Sequence, residues 1–174
     1  MSLLQRIFGE TRQRAALDPL YRAIVAAGRD PWWYRHGAVP DTLDGRFDMV
    51  AALTALVLLR IEAEGDPGHQ PALLLTEIFI DDMDGTLRQI GIGDYVVSKH
   101  VGRMMGALGG RLGAFRTADE AGESYEAAVC RNIFHEAPPT DEVARRVSDR
   151  LGSFAAALKR LTLADLVAGR LPTP

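Results

Sequence analysis

The fold is decided by the stretch from Thr42 to Glu64, which reads TLDGRFDMVAALTALVLLRIEAE. With side chains placed about 100° apart around a helix, its apolar residues cover nearly the whole circumference. Such a helix is either a membrane span or the centre of a bundle. The apolar run from Met49 to Leu59 is shorter than the ~20 residues that a bilayer requires, and Arg60 and Glu62 close it. The stretch therefore predicts a central helix surrounded by other helices.

The composition is typical of one globular domain. The chain has 174 residues, of which 47% are hydrophobic and 25% charged, and its net charge is −3. That charge argues against nucleic-acid phosphates as the main partner, so we expect no nucleic-acid specificity. Cys130 is the single cysteine. It excludes an internal disulfide and a thiolate cluster, and it fits a reducing compartment, which predicts a cytoplasmic location.

Residues 1–14, MSLLQRIFGETRQR, form an amphipathic basic segment and not a secretory signal. Leu3, Leu4, Ile7 and Phe8 share one helical face, and three arginines lie near it. Such a segment either lies on a membrane surface or docks on the protein's own core. The first alternative would make the protein peripheral at the inner membrane.

The flanking sequence predicts helices and no strand, so we expect one all-α domain, residues 1–174, of about six to seven helices around the central one. Asp18 as N-cap and Pro19 open the first, Gly28 ends it, and Gly65 to Gly68 break the chain after the central helix. The later helices are expected at about 70–90, from Tyr95 to about Phe115, from Thr117–Glu120 to about Phe134, from Thr140 or Asp141, and from Thr162 to Gly169.

Two features between or on these helices suggest a binding surface. Trp32, Trp33 and Tyr34 are expected in a loop, which either clamps onto the core or forms a recognition surface. In the helix that begins at Tyr95, five glycines share a face about 140° from the apolar stripe, which we call the glycine face: Gly102, Gly106, Gly109, Gly110 and Gly113. Each interior glycine costs about 1 kcal/mol relative to alanine. Close approach by another helix would compensate, whether it belongs to this chain or to a partner.

Asp81, Asp82 and Asp84 suggest a magnesium site, as in helical isoprenoid synthases. However, Gly85 occupies the position where that pattern requires another aspartate, and an EF-hand loop does not fit. Asp82 lies at the edge of the apolar face, so we expect its carboxylate to have a cationic or hydrogen-bonding partner. The four histidines lack the spacing of a helical zinc pair. We therefore predict no catalytic residue, no metal site and no cofactor.

The stretch from Val39 to Gly110 resembles the ubiquinol–cytochrome c chaperone family, the bacterial relatives of the mitochondrial factor that assembles cytochrome b into respiratory complex III. The first block that carries the resemblance is Pro40-Asp41-Thr42-x-Asp44-Gly45-Arg46-Phe47. The second is Asp82-Met83-Asp84-x-x-Leu87-Arg88-x-x-Gly91-x-Gly93-Asp94, continuing to Ser98-Lys99 and Val101 to Met104. Ser98 stands where many relatives have a smaller residue.

The resemblance implies an all-helical protein that is not an enzyme and acts as an assembly chaperone for a membrane respiratory complex. It implies a membrane-protein client, cytochrome b, with a small partner protein, near the ribosome or the membrane surface. The signature polar residues would either brace helix junctions or present charges to the partner; they are Asp41, Asp44, Arg46, Asp82, Asp84, Arg88, Asp94 and Lys99.

A chaperone for an apolar client needs a groove rather than a catalytic constellation. We expect that groove to combine small, aromatic and sulfur-containing side chains, namely Trp32, Trp33, Tyr34, Gly102, Met104, Met105, Gly106 and Gly110. Two alternatives remain: a magnesium-dependent isoprenoid-type enzyme that uses the aspartate cluster, and a peripheral membrane scaffold that works through residues 1–14.

Overall fold

A computed structural model describes residues 12–89, 94–135 and 137–174; of residues 87–89 and 94–101 it describes the backbone. The described part is helical throughout its regular structure, in a single domain, as predicted. Its helices are α1 (Asp18–Gly28), α2 (Pro31–Arg35), α3 (Leu43–Glu62), α4 (Asp66–Gln89), α5 (Asp94–Ala121), α6 (Glu126–Asn132), α7 (Asp141–Leu158) and α8 (Leu163–Val167). Residues 12–16 are also helical and lead into α1.

The central helix is confirmed as α3. The hydroxyl of Thr42 caps its first turn by accepting a hydrogen bond from the Gly45 amide at 3.2 Å. Every residue from Asp48 to Leu58 is buried, which is the burial that all-round apolarity predicts. The helices α1, α4, α5 and α7 pack against it. The apolar side chains of α3 therefore form the centre of the hydrophobic core.

The predicted boundary between the fifth and sixth helices is wrong. Rather than ending near Phe115, α5 continues to Ala121, and the segment Thr117–Glu120 belongs to its last turns. No glycine or proline interrupts the chain from Ala114 to Ala121, so nothing there stops the helix. Gly122 has φ +66°, the left-handed conformation that commonly follows a helix C-terminus. As a result α6 is short, and it begins at Glu126.

Two helix starts also differ from expectation. The break after α3 is confined to residues 63–65, and Asp66 and Pro67 open α4 instead of preceding it. Proline is well suited to this first turn because its missing N–H would have no intrahelical partner there. Asp18 likewise lies in the first turn of α1, because the preceding residues are already helical and Leu17 occupies the cap.

The aromatic triplet is helical and not a loop. Asp30 caps α2 by accepting the Trp32 amide at 2.8 Å, and Pro31 follows it at the first helical position. An aspartate followed by a proline is the usual signal for a helix start. The loop was predicted instead because His36-Gly37 and Val39-Pro40, which follow the triplet, are typical of irregular structure.

The C-terminal helices begin where the sequence predicts. The hydroxyl of Thr140 caps α7, and Thr162 with Asp165 forms a reciprocal capping box on α8. Among the described helices, none combines the length and apolarity that crossing a membrane would need.

Candidate functional site

The glycine face of α5 is open in the part of the chain that the structure describes. A Cβ built on Gly102, Gly106, Gly109, Gly110 or Gly113 would have no atom within 4 Å apart from its immediate surroundings in the helix. The glycine face was expected to contact either another helix of this chain or a partner. Among the described residues, no helix of this chain packs against it. The helix-propensity cost of the glycines is uncompensated there.

The C-terminal half of the glycine face forms one wall of an open groove of about 410 Å³, and α6 forms the other. We call it the small-residue groove. Its wall and floor carry glycine and alanine, and its rim is polar. The residues that line it are Gly109, Gly110, Gly113, Ala114, Thr117, Ala118, Glu123, Ser124, Ala127, Ala128 and Arg131. Small side chains on both walls leave the backbone accessible to an incoming segment.

Of the two methionines expected in the groove, only Met105 lies beside the glycine face. Met105 is 43% exposed, one of few large apolar side chains with such exposure in the described residues. Met104 is partly buried and packs against the core. An exposed methionine next to the glycines is an adaptable apolar contact for a partner.

The aromatic triplet of α2 is a core anchor. Trp33 is fully buried, and its Nε1 donates a hydrogen bond to the Ala27 carbonyl at 2.8 Å. The Tyr34 hydroxyl donates to the Gly28 carbonyl at 2.7 Å. Trp32 packs edge-on against Trp33, and the Arg150 guanidinium lies 4.1 Å from its ring centre.

These contacts favour the alternative in which the triplet clamps onto the core. The ring and polar contacts described for it go to α1, α3 and α7, and none goes to α5. The structure therefore does not bring the triplet together with the glycine face. The prediction that Trp33 lines the client groove is corrected by its full burial, because Asp30 and Pro31 start a helix that directs its indole into the core.

Three signature residues, Asp41, Asp44 and Arg46, lie at the start of α3. Asp41 accepts a hydrogen bond from Arg46 Nε at 2.7 Å, and this bond lowers the pKa of the Asp41 carboxyl. The Arg46 guanidinium also lies over the Tyr34 ring, 5.9 Å from its centre. Asp44 is exposed in the first turn of α3, where its negative charge interacts favourably with the helix dipole. A Cβ on Gly45 would lie 2.0 Å from the Pro40 carbonyl oxygen, so that position requires glycine.

The aspartates of α4 bond to different partners. Asp82 accepts a hydrogen bond from the buried Tyr21 hydroxyl at 2.7 Å, which confirms the expected partner. Burial and the neighbouring Asp82 raise the pKa of Tyr21. Asp81 is exposed and pairs with Arg14 at 2.5 Å. Among the described residues no cluster of three His, Cys, Asp or Glu side chains is suited to a metal ion. Asp84 is half-buried, and the side chains of Arg88, Asp94 and Lys99 lie outside those described.

A buried ion pair that the sequence pattern did not predict links α3 to α5. Asp48 of α3 and Arg111 of α5 are each 3% exposed, and the Arg111 Nη2 donates to Asp48 Oδ1. A signal was present, because Asp48 belongs to a helix predicted to be buried all round. Arg111 likewise lies between Leu108 and Leu112 of the inward stripe. Their pairing depends on tertiary structure, which spacing alone does not reveal.

The pair also holds the C-terminal end of α6. Arg111 Nη2 donates to the Asn132 carbonyl at 2.5 Å, one of the helix-end carbonyls that lack an intrahelical donor. His135, with φ +50°, places Nε2 2.9 Å from Asp48 Oδ2. Burial raises the pKa of Asp48, and the charge of Arg111 and the hydrogen bond with His135 oppose that shift. Burial likewise lowers the pKa of Arg111.

Comparison with known proteins gives a consistent result. The family model described as "Ubiquinol-cytochrome C chaperone" matches residues 35–173. The crystal structure of the Cbp3 homolog from Brucella abortus is similar over 99% of this chain and 97% of that chain, with 28% identity and a TM-score of 0.81. None of the curated proteins compared with the chain matches it. Because the family match extends from α2 to the C-terminal residues, the chain belongs to the ubiquinol–cytochrome c chaperone family.

Proposed function

We propose that the protein is a non-catalytic assembly chaperone that binds cytochrome b, or another membrane-embedded respiratory subunit, during biogenesis of the ubiquinol–cytochrome c reductase. The observation that carries this proposal is the family match over residues 35–173. An accessible surface of small residues on α5 and α6 supports the proposal.

The client surface that we propose is the glycine face with the small-residue groove. A membrane helix is rich in apolar and small residues, and such helices associate where glycines let two backbones approach closely. Gly102, Gly106 and Gly110 offer that approach along α5, and Met105 adds an adaptable apolar contact. Trp33 does not belong to this surface, because it is buried.

For the signature polar residues we favour bracing over partner contact. Arg46 and Tyr21 satisfy Asp41 and Asp82 within the chain, so neither carboxylate needs a partner. Bracing also fits the positions of Asp41, Arg46 and Asp82, which lie at the start of α3 and where α4 meets α1.

We further propose that the protein works in the cytoplasm at the surface of the inner membrane, where such a client is inserted, with a small partner protein. Residues 1–11, the core of the basic amphipathic segment, lie outside the described residues. Liposome flotation with and without residues 1–14 tests the membrane contact: equal flotation of both forms would reject that segment as an anchor.

The client is best identified by photo-crosslinking in cells. A photoreactive amino acid at Met105 places the probe beside the glycine face, and the same amino acid at Leu73 of α4 is a matched control. Both positions carry large apolar side chains, 43% and 55% exposed respectively. We expect cytochrome b to be captured from Met105 and not from Leu73. Capture of soluble metabolic enzymes alone, or equal capture from both positions, would reject the proposal.

Blocking the surface gives an independent test. Gly106→Leu fills the glycine face, whereas Gly152→Leu adds the same side chain to α7, at another helical glycine with open space around it. We expect the first variant to lose client capture and the second to retain it. If Gly106→Leu folds and captures the client normally, the glycine face is not the client surface.

A further inference from the structure

We infer that the buried Asp48–Arg111 pair, together with His135, positions α6 against α5 and so sets the shape of the small-residue groove. In this view Arg111 is a positioning residue of the client surface. The functional consequence rests on the proposed function, whereas the positioning itself does not.

Arg111 lies on the side of α5 opposite most of the glycine face. With about 100° between successive residues, its side chain points roughly 160 to 180° from Gly102, Gly109 and Gly113. The same helix therefore exposes the backbone of these glycines on one side and directs a buried guanidinium to α3 on the other. Any shift of Arg111 relative to Asp48 moves the glycine face with it.

Arg111 and Asp48 are also connected to the opposite wall of the groove. Arg111 bonds to the carbonyl of Asn132, the last residue of α6, and Asp48 bonds to His135 just beyond it. Within α6, Ala127, Ala128 and Arg131 line the groove. The buried Asp48–Arg111 pair, through its bonds to Asn132 and to the exposed His135, thus joins both walls to α3.

The chemistry of the cluster favours positioning over stabilisation. A buried ion pair contributes little net stability, because removing both charges from water costs about as much as their attraction returns. Such pairs are often replaced by apolar residues without loss of stability. What charged groups supply is directionality, since the guanidinium must align with a carboxylate and two carbonyls at once.

The distance between α5 and α6 tests the inference directly. Spin labels at Gly102→Cys and Arg131→Cys, in a Cys130→Ala background, report that distance by double electron–electron resonance. We expect one narrow distance distribution with the pair intact. In Asp48→Leu/Arg111→Met we expect a folded protein with a broader and shifted distribution. An unchanged distribution in that variant would overturn the inference.

The matched control replaces another ion pair between the same two helices. Arg116 of α5 and Glu62 of α3 pair at 2.5 Å, but both side chains are exposed and the described ion pair includes no residue of α6. Arg116→Met/Glu62→Leu should leave the distribution narrow, and broadening there would show that any link between these helices has the same effect. If the buried double variant does not fold, Arg111→Lys decides. Lysine keeps the buried charge but lacks the planar guanidinium that bonds to Asp48 and to the Asn132 carbonyl together; broadening supports the inference and an unchanged distribution overturns it.

Client capture from Met105 then separates this inference from the proposed function. No capture by the wild-type protein would reject the proposed function and leave the distance result intact. Where the wild type captures its client, the buried double variant should lose capture and the Arg116→Met/Glu62→Leu control should keep it. A displaced α6 with normal capture would show that the pair does not shape the client surface.

Discussion

Gly28 of α1 and Val50 of α3 meet where the two helices cross, and they leave no space for a side chain at residue 28. A Cβ on Gly28 would lie 2.9 Å from Val50 Cγ2 and 3.1 Å from the Val50 Cα. The second contact is with backbone, so rotation of the valine alone does not relieve it. Gly106 presents the opposite case, since a Cβ there has open space around it.

These two glycines should therefore respond to alanine with opposite signs. We expect Gly28→Ala to destabilise the fold by about 1–3 kcal/mol through overpacking. We expect Gly106→Ala to stabilise it by up to about 1 kcal/mol through helix propensity. Urea denaturation of both variants measures the free energy of unfolding. A loss of stability in Gly106→Ala would indicate that another segment covers the glycine face.

Replacing one member of the buried Asp48–Arg111 pair should lower the stability strongly, whereas replacing both with apolar residues should change it little. Asp48→Leu or Arg111→Met alone leaves an uncompensated buried charge, for which we expect a loss of about 3–5 kcal/mol. The double variant removes both charges and should be near wild type or more stable. A double-mutant cycle by chemical denaturation checks this; losses that simply add would contradict it.

The hydrogen bond between Tyr21 and Asp82 should contribute modestly to stability. Tyr21→Phe removes the hydroxyl and keeps the buried ring, so we expect a loss of about 0.5–1.5 kcal/mol. In Asp82→Asn the amide still accepts the hydrogen bond, so the loss should be smaller. Thermal unfolding of both variants makes the comparison. Equal losses would mean that the carboxylate charge itself stabilises the crossing of α1 and α4.

The capping box of α8 predicts a measurable pKa. Hydrogen bonds from the Thr162 side chain, from Arg170 and from the Thr162 amide lower the pKa of Asp165 from 3.8 to about 2. Because the folded-state pKa is depressed, the stabilisation is present above pH 3.8 and is lost as the pH falls through about 2. Carboxyl NMR titration should show this midpoint, and Thr162→Val should move it upward. A normal midpoint in the wild type would exclude the capping box.

Elements with a strong local signal were predictable from sequence. All-round apolarity identified α3, and the capping residues Thr140 and Thr162 marked the starts of α7 and α8. The end of α5 was missed because residues 116–121 carry no helix breaker, and the apolar stripe that guided the prediction simply fades there. The helical triplet of α2 was missed because the signal of Asp30 and Pro31 competed with the irregular residues that follow.

Part of the candidate site was likewise predictable from local sequence, and part was not. The glycine face follows from spacing along one helix, and spacing is a property of the sequence. Whether a neighbour fills it depends on how α6 lies beside α5, which no local pattern specifies. The burial of Trp33 and the pairing of Asp48 with Arg111 also depend on contacts between residues far apart in the chain, so they became visible only in the structure.

The open space around the glycine face predicts how its residues change during evolution. Selection for folding alone would exchange them for alanine, because each exchange improves helix formation at no steric cost. In lineages that have lost the proposed client, we expect drift to fill Gly102, Gly106 and Gly110 with larger residues. Gly28 should stay unchanged in the same genomes, because Val50 leaves no space for a larger residue there.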